Sequence, residues 1–305
     1  EWSEKVRSSR KRTAIPLMTH AGIELAGATV REAVTNGEIQ AMAIKALYRR
    51  FKPDGVTTIM DLTVEAEAFG SKIRFEEDEI PTVSERLVVR VDEAERLPVP
   101  DLFSATRAQE HLRAAALTAK EVRDVPVFGG CIGPFSLAGR LMDMTEIMTD
   151  IYLMPEMVQE LLRKCTLFIK EYVRAYKSLG IDGIIMAEPA AGLLGEEECD
   201  TFSSAYIREI VDELQDENFL VVLHNCGHNG MLARSMASTG AKAVHFGNAA
   251  DMEKILQEVP KDILVMGNID PVHVLKEGTP EFVKQQTEAL LEKTQDYELK
   301  VRDYT

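Results

Sequence analysis

His224 and Cys226 carry the most chemical content in this chain, because they stand two residues apart at the exit of the apolar run Phe219-Leu220-Val221-Val222-Leu223. Side chains at i and i+2 of a strand project to the same side, so this imidazole and this thiolate can converge on one ion. Zinc accepts such nitrogen and sulfur donors, but it needs three or four of them. The pair is half a site. A buried cysteine beside a hydrogen-bonding histidine is the plainer reading of the same two residues.

The elements that would position them follow a regular rhythm. Short β-branched or apolar runs alternate with longer segments of helical period, the pattern of βα units and a parallel sheet. Seven strands are expected, over Ala14–Thr19, Gly55–Met60, Val125–Gly129, Gly183–Ala187, Leu220–His224, Ala243–Phe246 and Ile263–Met266. Helices are expected at Ile39–Arg50, Ser104–Glu121, Pro155–Leu179, Ser204–Leu214 and Gly230–Ser238. The segment Ile73–Leu97 breaks the rhythm with acidic residues and the alternation Leu87, Val89, Val91, and reads as an inserted hairpin over one mouth. No linker or repeat asks for a second domain. Residues 1–305 are therefore expected to form a single TIM (β/α)8 barrel, with the eighth strand missing from this sequence, which stops at Val301-Arg302-Asp303-Tyr304-Thr305. A doubly wound open sheet would favour a glycine-rich phosphate loop after the first strand, and Thr19-His20-Ala21-Gly22 is not one.

Composition narrows the function classes. At 305 residues, 45% hydrophobic and 28% charged, the chain can bury a large core. Fifty acidic against 35 basic residues give a formal charge of -15, which opposes binding to nucleic acid or to anionic lipid. Cys131, Cys165, Cys199 and Cys226 are too widely spaced for a disulfide framework and fit a reducing compartment, so a cytoplasmic location is expected. Neither a membrane-length apolar run nor an apolar signal core behind the charged amino terminus is present. Cys165 falls within a long predicted helix and is expected in the core. Cys199, behind Glu196-Glu197-Glu198, is expected to be exposed.

In a barrel, function sits where the strands end and the βα loops begin. Polar residues collect there: Thr19 and His20, Asp61 with Glu65 and Glu67, Cys131, Glu188, His224 and Cys226, His245 and Asn248, Asn268 and Asp270. Each one singly is better read as a cap or a salt-bridged residue. Their common placement is what points to a site.

The run Asp61-Leu62-Thr63-Val64-Glu65-Ala66-Glu67-Ala68-Phe69-Gly70, Gly133-Pro134-Phe135, Glu188-Pro189 and His224-Asn225-Cys226-Gly227, in that order, resembles the uroporphyrinogen decarboxylase superfamily. Within it the chain looks most like the zinc-dependent methylcobamide:coenzyme M (corrinoid:thiol) methyltransferases. The decarboxylase branch implies an arginine-bearing Met-Arg-Gln-Ala-Gly-Arg opening for substrate carboxylates. Here the equivalent stretch is Met18-Thr19-His20-Ala21-Gly22-Ile23, with no arginine.

The resemblance implies a TIM barrel with zinc on His224, Cys226 and a later cysteine of the last strand, the substrate thiol completing the set. No cysteine follows Cys226. Either the absent eighth strand carries it, which is favoured, or Glu188, Cys131 or His245 takes its place. Zinc would release the thiol proton and hold a thiolate for in-line attack on a methyl-corrinoid. Glu188 is then a candidate metal ligand and catalytic carboxylate. Asp61 and His20 are expected to serve the reaction from the pocket, and His245, Asn248 and Asn268 to border the corrinoid. Partners implied are a corrinoid protein or free methylcobalamin and a small thiol. Two alternatives stay open: a decarboxylase-like lyase acting on a porphyrinogen, and a non-catalytic corrinoid-binding member of the fold.

Overall fold

A computed structural model of the protein describes Val6, Ser9 and residues 12–17 and 19–294; the side chains of residues 19, 20, 91 and 92 lie outside the description. Six parallel strands form one sheet whose spatial order follows the chain: β1 (Val56–Thr57), β4 (Val127–Ile132), β5 (Gly183–Ala187), β6 (Leu220–Asn225), β7 (Ala243–Phe246) and β8 (Leu264–Met266). Between the first two, β2 (Ile73–Arg74) and β3 (Thr82–Val83) make a separate antiparallel pair. Helices cover the sheet, among them α1 (Thr19–Ala26), α2 (Val30–Thr35), α3 (Gly37–Phe51), α4 (Val64–Phe69), α5 (Thr106–Glu121), α6 (Pro134–Met142), α7 (Met144–Leu153) and α8 (Pro155–Ser178).

Strand alternation sorts the side chains into two layers. On β6, Leu220 and Val222 join Phe128, Ile185 and Ala243 in a small inner cluster, against which Ile15, Leu17, Met60, Leu264 and Met266 pack. Residues from both edges of the sheet thus meet on one face, which is why the sheet curls. The alternate residues Val221 and Leu223 face outward into the main core with Phe168, Tyr172 and Tyr176 of α8. Both faces are buried, and so these strands read as continuous apolar runs rather than alternating ones. Burying a side chain such as Phe168 contributes about 1.5–3 kcal/mol.

Local signals fix the turns that lead into the site. Asn36 caps α3 by accepting from the backbone N–H groups of Glu38 and Ile39. From the same helix the buried Gln40 side chain donates to the Ala33 carbonyl and accepts from the Ile59 N–H, which ties the end of β1 to α2 and α3.

Three expectations change. Ala14–Thr19 is not a strand: Ala14 exchanges hydrogen bonds with Asp54, one of them to its side chain, but Pro16 has no N–H to continue a ladder, and Thr19 already starts α1. The seven expected strands are therefore six in the described sheet. In the hairpin segment, β2 and β3 pair Ile73 with Val83 and Arg74 with Thr82. The alternation Leu87, Val89, Val91 forms no strand, because the Leu87 and Val88 N–H groups both turn to the Leu141 carbonyl. Cys199 is buried, with its thiol near the Ser204 hydroxyl, since the chain runs on without a break through a π-turn (Asp200–Ser204) into a helix whose inner face it joins. The expectation that the eighth strand is missing from the sequence bears on residues 295–305, which lie outside the described residues.

Candidate functional site

β6 delivers His224 at its carboxyl end, in phase with Leu220 and Val222 of the inner cluster, with Cys226 directly past the end of the strand. Asn225 points the other way, into the core, and its side-chain oxygen accepts from the Gly227 N–H, turning the chain directly after the strand. The neighbouring loop passes close by: a Cβ on Gly247 would stand 2.9 Å from both Cα and Cβ of Cys226, so only glycine lets the β7 loop run there.

Parallel pairing sets a row across the sheet. Ala187 stands beside His224, His224 beside His245, and His245 beside Met266. The two histidines meet Nδ1 to Nδ1 at 2.5 Å, with ring centroids 4.6 Å apart. Desolvation is the main cause that pulls His224 down to about 4 and His245 to about 3, so both imidazoles are neutral near pH 7. Cys226 is exposed at the strand end, yet the buried side of its thiol pushes its pKa above the usual value. Among the described residues no three His, Cys, Asp or Glu side chains are gathered closely enough to hold a metal ion. The histidine pair is assembled; the Cys226 thiol stands apart from it.

Asp61 occupies a different part of the mouth. Its carboxylate accepts from the backbone N–H and hydroxyl of Thr63 and is paired with the buried Arg107 of α5. Arg107 also binds Glu67 and donates to the Thr63 hydroxyl. Asp61 lines a cavity of about 540 Å³ with Leu17, Val34, Met60, Ile80, Leu275 and Lys276 among its walls. The cavity lies where the two edges of the sheet approach, and neither His224 nor Cys226 borders it.

Glu188 follows Ala187 on the outer side of β5. One oxygen accepts from the Phe135 N–H and the Ser203 hydroxyl, the other from the Ser136 N–H, at the amino terminus of α6. A Cβ on Gly133 would fall 2.4 Å from that second oxygen. Buried and with both oxygens engaged, Glu188 holds α6 against β5; it is not brought to His224. Cys131 likewise faces outward, into the core.

Asn248 donates to Asp270, and Asn268 donates to the Gly247 and Ala250 carbonyls, so both asparagines brace the loops after β7 and β8. Asp270 also accepts from the Val272 and His273 N–H groups. His20 lies in α1, and its side chain is outside the described residues.

Two polar residues, Arg107 and His228, escaped the sequence reading. Arg107 is buried on the same face of α5 as Ala108, Leu112 and Ala115, and a charged residue in phase with that apolar stripe was the available signal. His228 is buried with Nδ1 accepting from the Gly230 N–H, its Nε2 without a partner among the described residues, and its ring edge-on to Phe246. Glu65, already named at a strand end, proves deeply buried: one oxygen accepts from the Ile132 N–H, the other has no partner among the described residues, and desolvation raises its pKa to about 7.

The family model described as uroporphyrinogen decarboxylase (URO-D) matches residues 11–300. The methylcobamide:CoM methyltransferase MtbA of Methanosarcina acetivorans is 28% identical over 273 residues, 88% of this chain and 80% of the relative. A uroporphyrinogen decarboxylase of Vibrio campbellii is 24% identical over 267 residues, covering 84% and 74%. Among solved structures, a methyltransferase from Methanosarcina mazei superimposes with a TM-score of 0.87 at 24% identity, covering 95% of this chain and 88% of its own; that likeness is one of fold.

Proposed function

The chain belongs to the uroporphyrinogen decarboxylase family, and within it we propose that this protein is a methyltransferase that moves a methyl group from a methyl-corrinoid to a zinc-activated thiol. The observation that carries the reading is His224 in phase with the inner residues Leu220 and Val222 of β6, with Cys226 directly past the end of that strand. The similarity to a methylcobamide:CoM methyltransferase supports it. Against a decarboxylase stands the cavity lining, whose charged members among the described residues are Asp61 and Lys276, with no guanidinium among them for a substrate bearing several carboxylates. Arg107, the nearest arginine to Asp61, is committed to Asp61 and Glu67.

The donors present fit zinc in kind: a neutral imidazole and a thiol. His224 and Cys226 would hold the ion, and bound zinc would lower the pKa of a substrate thiol so that it reacts as the thiolate. His224 needs no deprotonation to ligate, because burial already keeps it neutral. Cys226 must surrender its Sγ proton, which its environment holds more tightly than water would. The Asp61–Arg107 pair keeps its part of the mouth charge-balanced, so a large apolar cofactor face meets no lone carboxylate there. Ile80, between β2 and β3, lines the same cavity as Asp61, and a corrinoid protein or free methylcobalamin would approach from that side.

Elemental analysis of the purified protein and its His224→Ala and Cys226→Ala variants tests the reading, followed by loss of methylcobalamin absorbance with a panel of thiols. Near-stoichiometric zinc that both substitutions abolish, with thiol-dependent demethylation, is expected. A folded wild type that binds no zinc and releases carbon dioxide from a porphyrinogen would replace this reading with the decarboxylase.

A further inference from the structure

We infer that Asn268 is a positioning residue for Cys226, acting through the loop after β7. Cys226 lies directly past the end of β6, so its place depends on the loops to either side. The sheet order puts the loop after β5 on one side of it and the loop after β7 on the other. Both approach through glycine. A Cβ on Gly192, after β5, would fall 2.5 Å from the carbonyl carbon and 2.6 Å from the Cα of Gly227, and one on Gly247, after β7, 2.9 Å from both Cα and Cβ of Cys226. Neither loop has room for a side chain at these points, so the turn at Cys226 and Gly227 is seated in a slot with backbone on both walls.

One of those walls is held from the next strand along. The Asn268 amide, in the loop after β8, donates to the Gly247 carbonyl at 3.0 Å and to the Ala250 carbonyl at 2.7 Å, which uses both of its N–H groups. It thereby grips both ends of the turn over residues 247–250, whose own hydrogen bond runs from the Ala250 N–H to the Gly247 carbonyl at 3.1 Å. Asn248 ties the same turn to Asp270 at 2.6 Å. The path from the β8 loop to the thiol is therefore Asn268 to Gly247 to Cys226. Groups that act together chemically have to be held to within about 0.5 Å, and this clamp supplies that constraint to a thiol beyond the sheet. The inference rests on the proposed function only for the task it gives the thiol.

Asn268→Asp tests this, because it is nearly isosteric and turns two donors into a carboxylate facing two carbonyls, which opens the clamp without leaving a cavity. Hydrogen exchange of the full chain, read by mass spectrometry over residues 224–231, reports the Gly227 N–H, which donates to the Asn225 side chain. Its exchange should be about 10-fold faster in the variant, the scale of one or two lost hydrogen bonds. The rate at which Cys226 reacts with a disulfide reagent should change severalfold, while Cys131, Cys165 and Cys199 stay closed. Gly247→Ala displaces the same wall and leaves Asn268 intact; it should reproduce both effects, and the double variant should add little to either. Faster exchange confined to residues 247–250, with Gly227 and Cys226 unchanged, overturns the inference. Opening of all four cysteines also overturns it, since Asn268 would then be a general prop of the fold. Neither readout involves metal or methyl transfer, so a protein without zinc removes the proposed chemistry and leaves the positioning of Cys226 to stand or fall by itself.

Discussion

Arg107→Met is the most informative perturbation of the mouth, because it separates a burial cost from a catalytic one. The Asp61 side chain is fully buried, and Arg107 is its counter-charge, while the second arm of Arg107 reaches Glu67, whose side chain is 36% exposed. Removing one member of a buried ion pair costs about 3–5 kcal/mol, since the other is left as an uncompensated charge. The exposed Glu67 arm adds little on top of this. With an unfolding entropy of about 2.1 cal/mol/K per residue, a chain of 305 residues loses about 5–8 °C of Tm. Asp61→Asn removes the stranded charge and keeps an oxygen for the Thr63 N–H and hydroxyl. The double variant should therefore recover more than half of the loss. Thermal and urea unfolding of the four proteins form a double-mutant cycle. A loss below about 1 kcal/mol in Arg107→Met, or no recovery in the double variant, would refute the argument that the carboxylate's burial sets the cost.

Glu65 gives the pH dependence. Its folded pKa near 7 exceeds the usual 4.5, so the folded state keeps a proton that the unfolded chain releases, and stability falls as pH rises from about 4.5 to 7. The full effect is about 3 kcal/mol. In urea melts Glu65→Gln should gain on wild type by that order between pH 5 and pH 8, and a constant difference would contradict the burial argument. Gly133→Ala places a methyl group against the Glu188 carboxylate and should cost about 1–3 kcal/mol, read as a fall in the urea midpoint. Thiol titration with a disulfide reagent should find one reactive cysteine in the native protein, Cys226, and all four after denaturation. Bound zinc should slow the native reaction, and labelling of Cys131, Cys165 or Cys199 at a comparable rate would contradict their burial.

Much of the framework was legible in local pattern. The strands at Gly183–Ala187 and Ala243–Phe246 carry their expected boundaries, and β6 runs one residue past its expected end, because apolar runs bounded by turn residues report a sheet covered on both faces. Helix α8 ends within a residue of its expected limit, since its apolar stripe repeats over 24 residues. The phase of His224 with Leu220 and Val222 could be read from period two alone. That same alternation sends Glu188 to the outer face, a consequence that needed the phase of β5 to be known.

What the sequence by itself determined is therefore the set of elements and the phase of residues within each one. Only the tertiary structure decided which elements meet. Arg107 reaches Asp61 across 46 residues, and His224 meets His245 across 21, through register and helix packing that no local period encodes. Ala14–Thr19 failed as a strand for the same reason: Ile15 and Leu17 do fill the inner cluster, but a strand exists only where a neighbour's hydrogen bonds continue it, and Pro16 cannot donate one. Burial is likewise collective, which is why the acidic flank of Cys199 pointed outward while its packed neighbours drew it in.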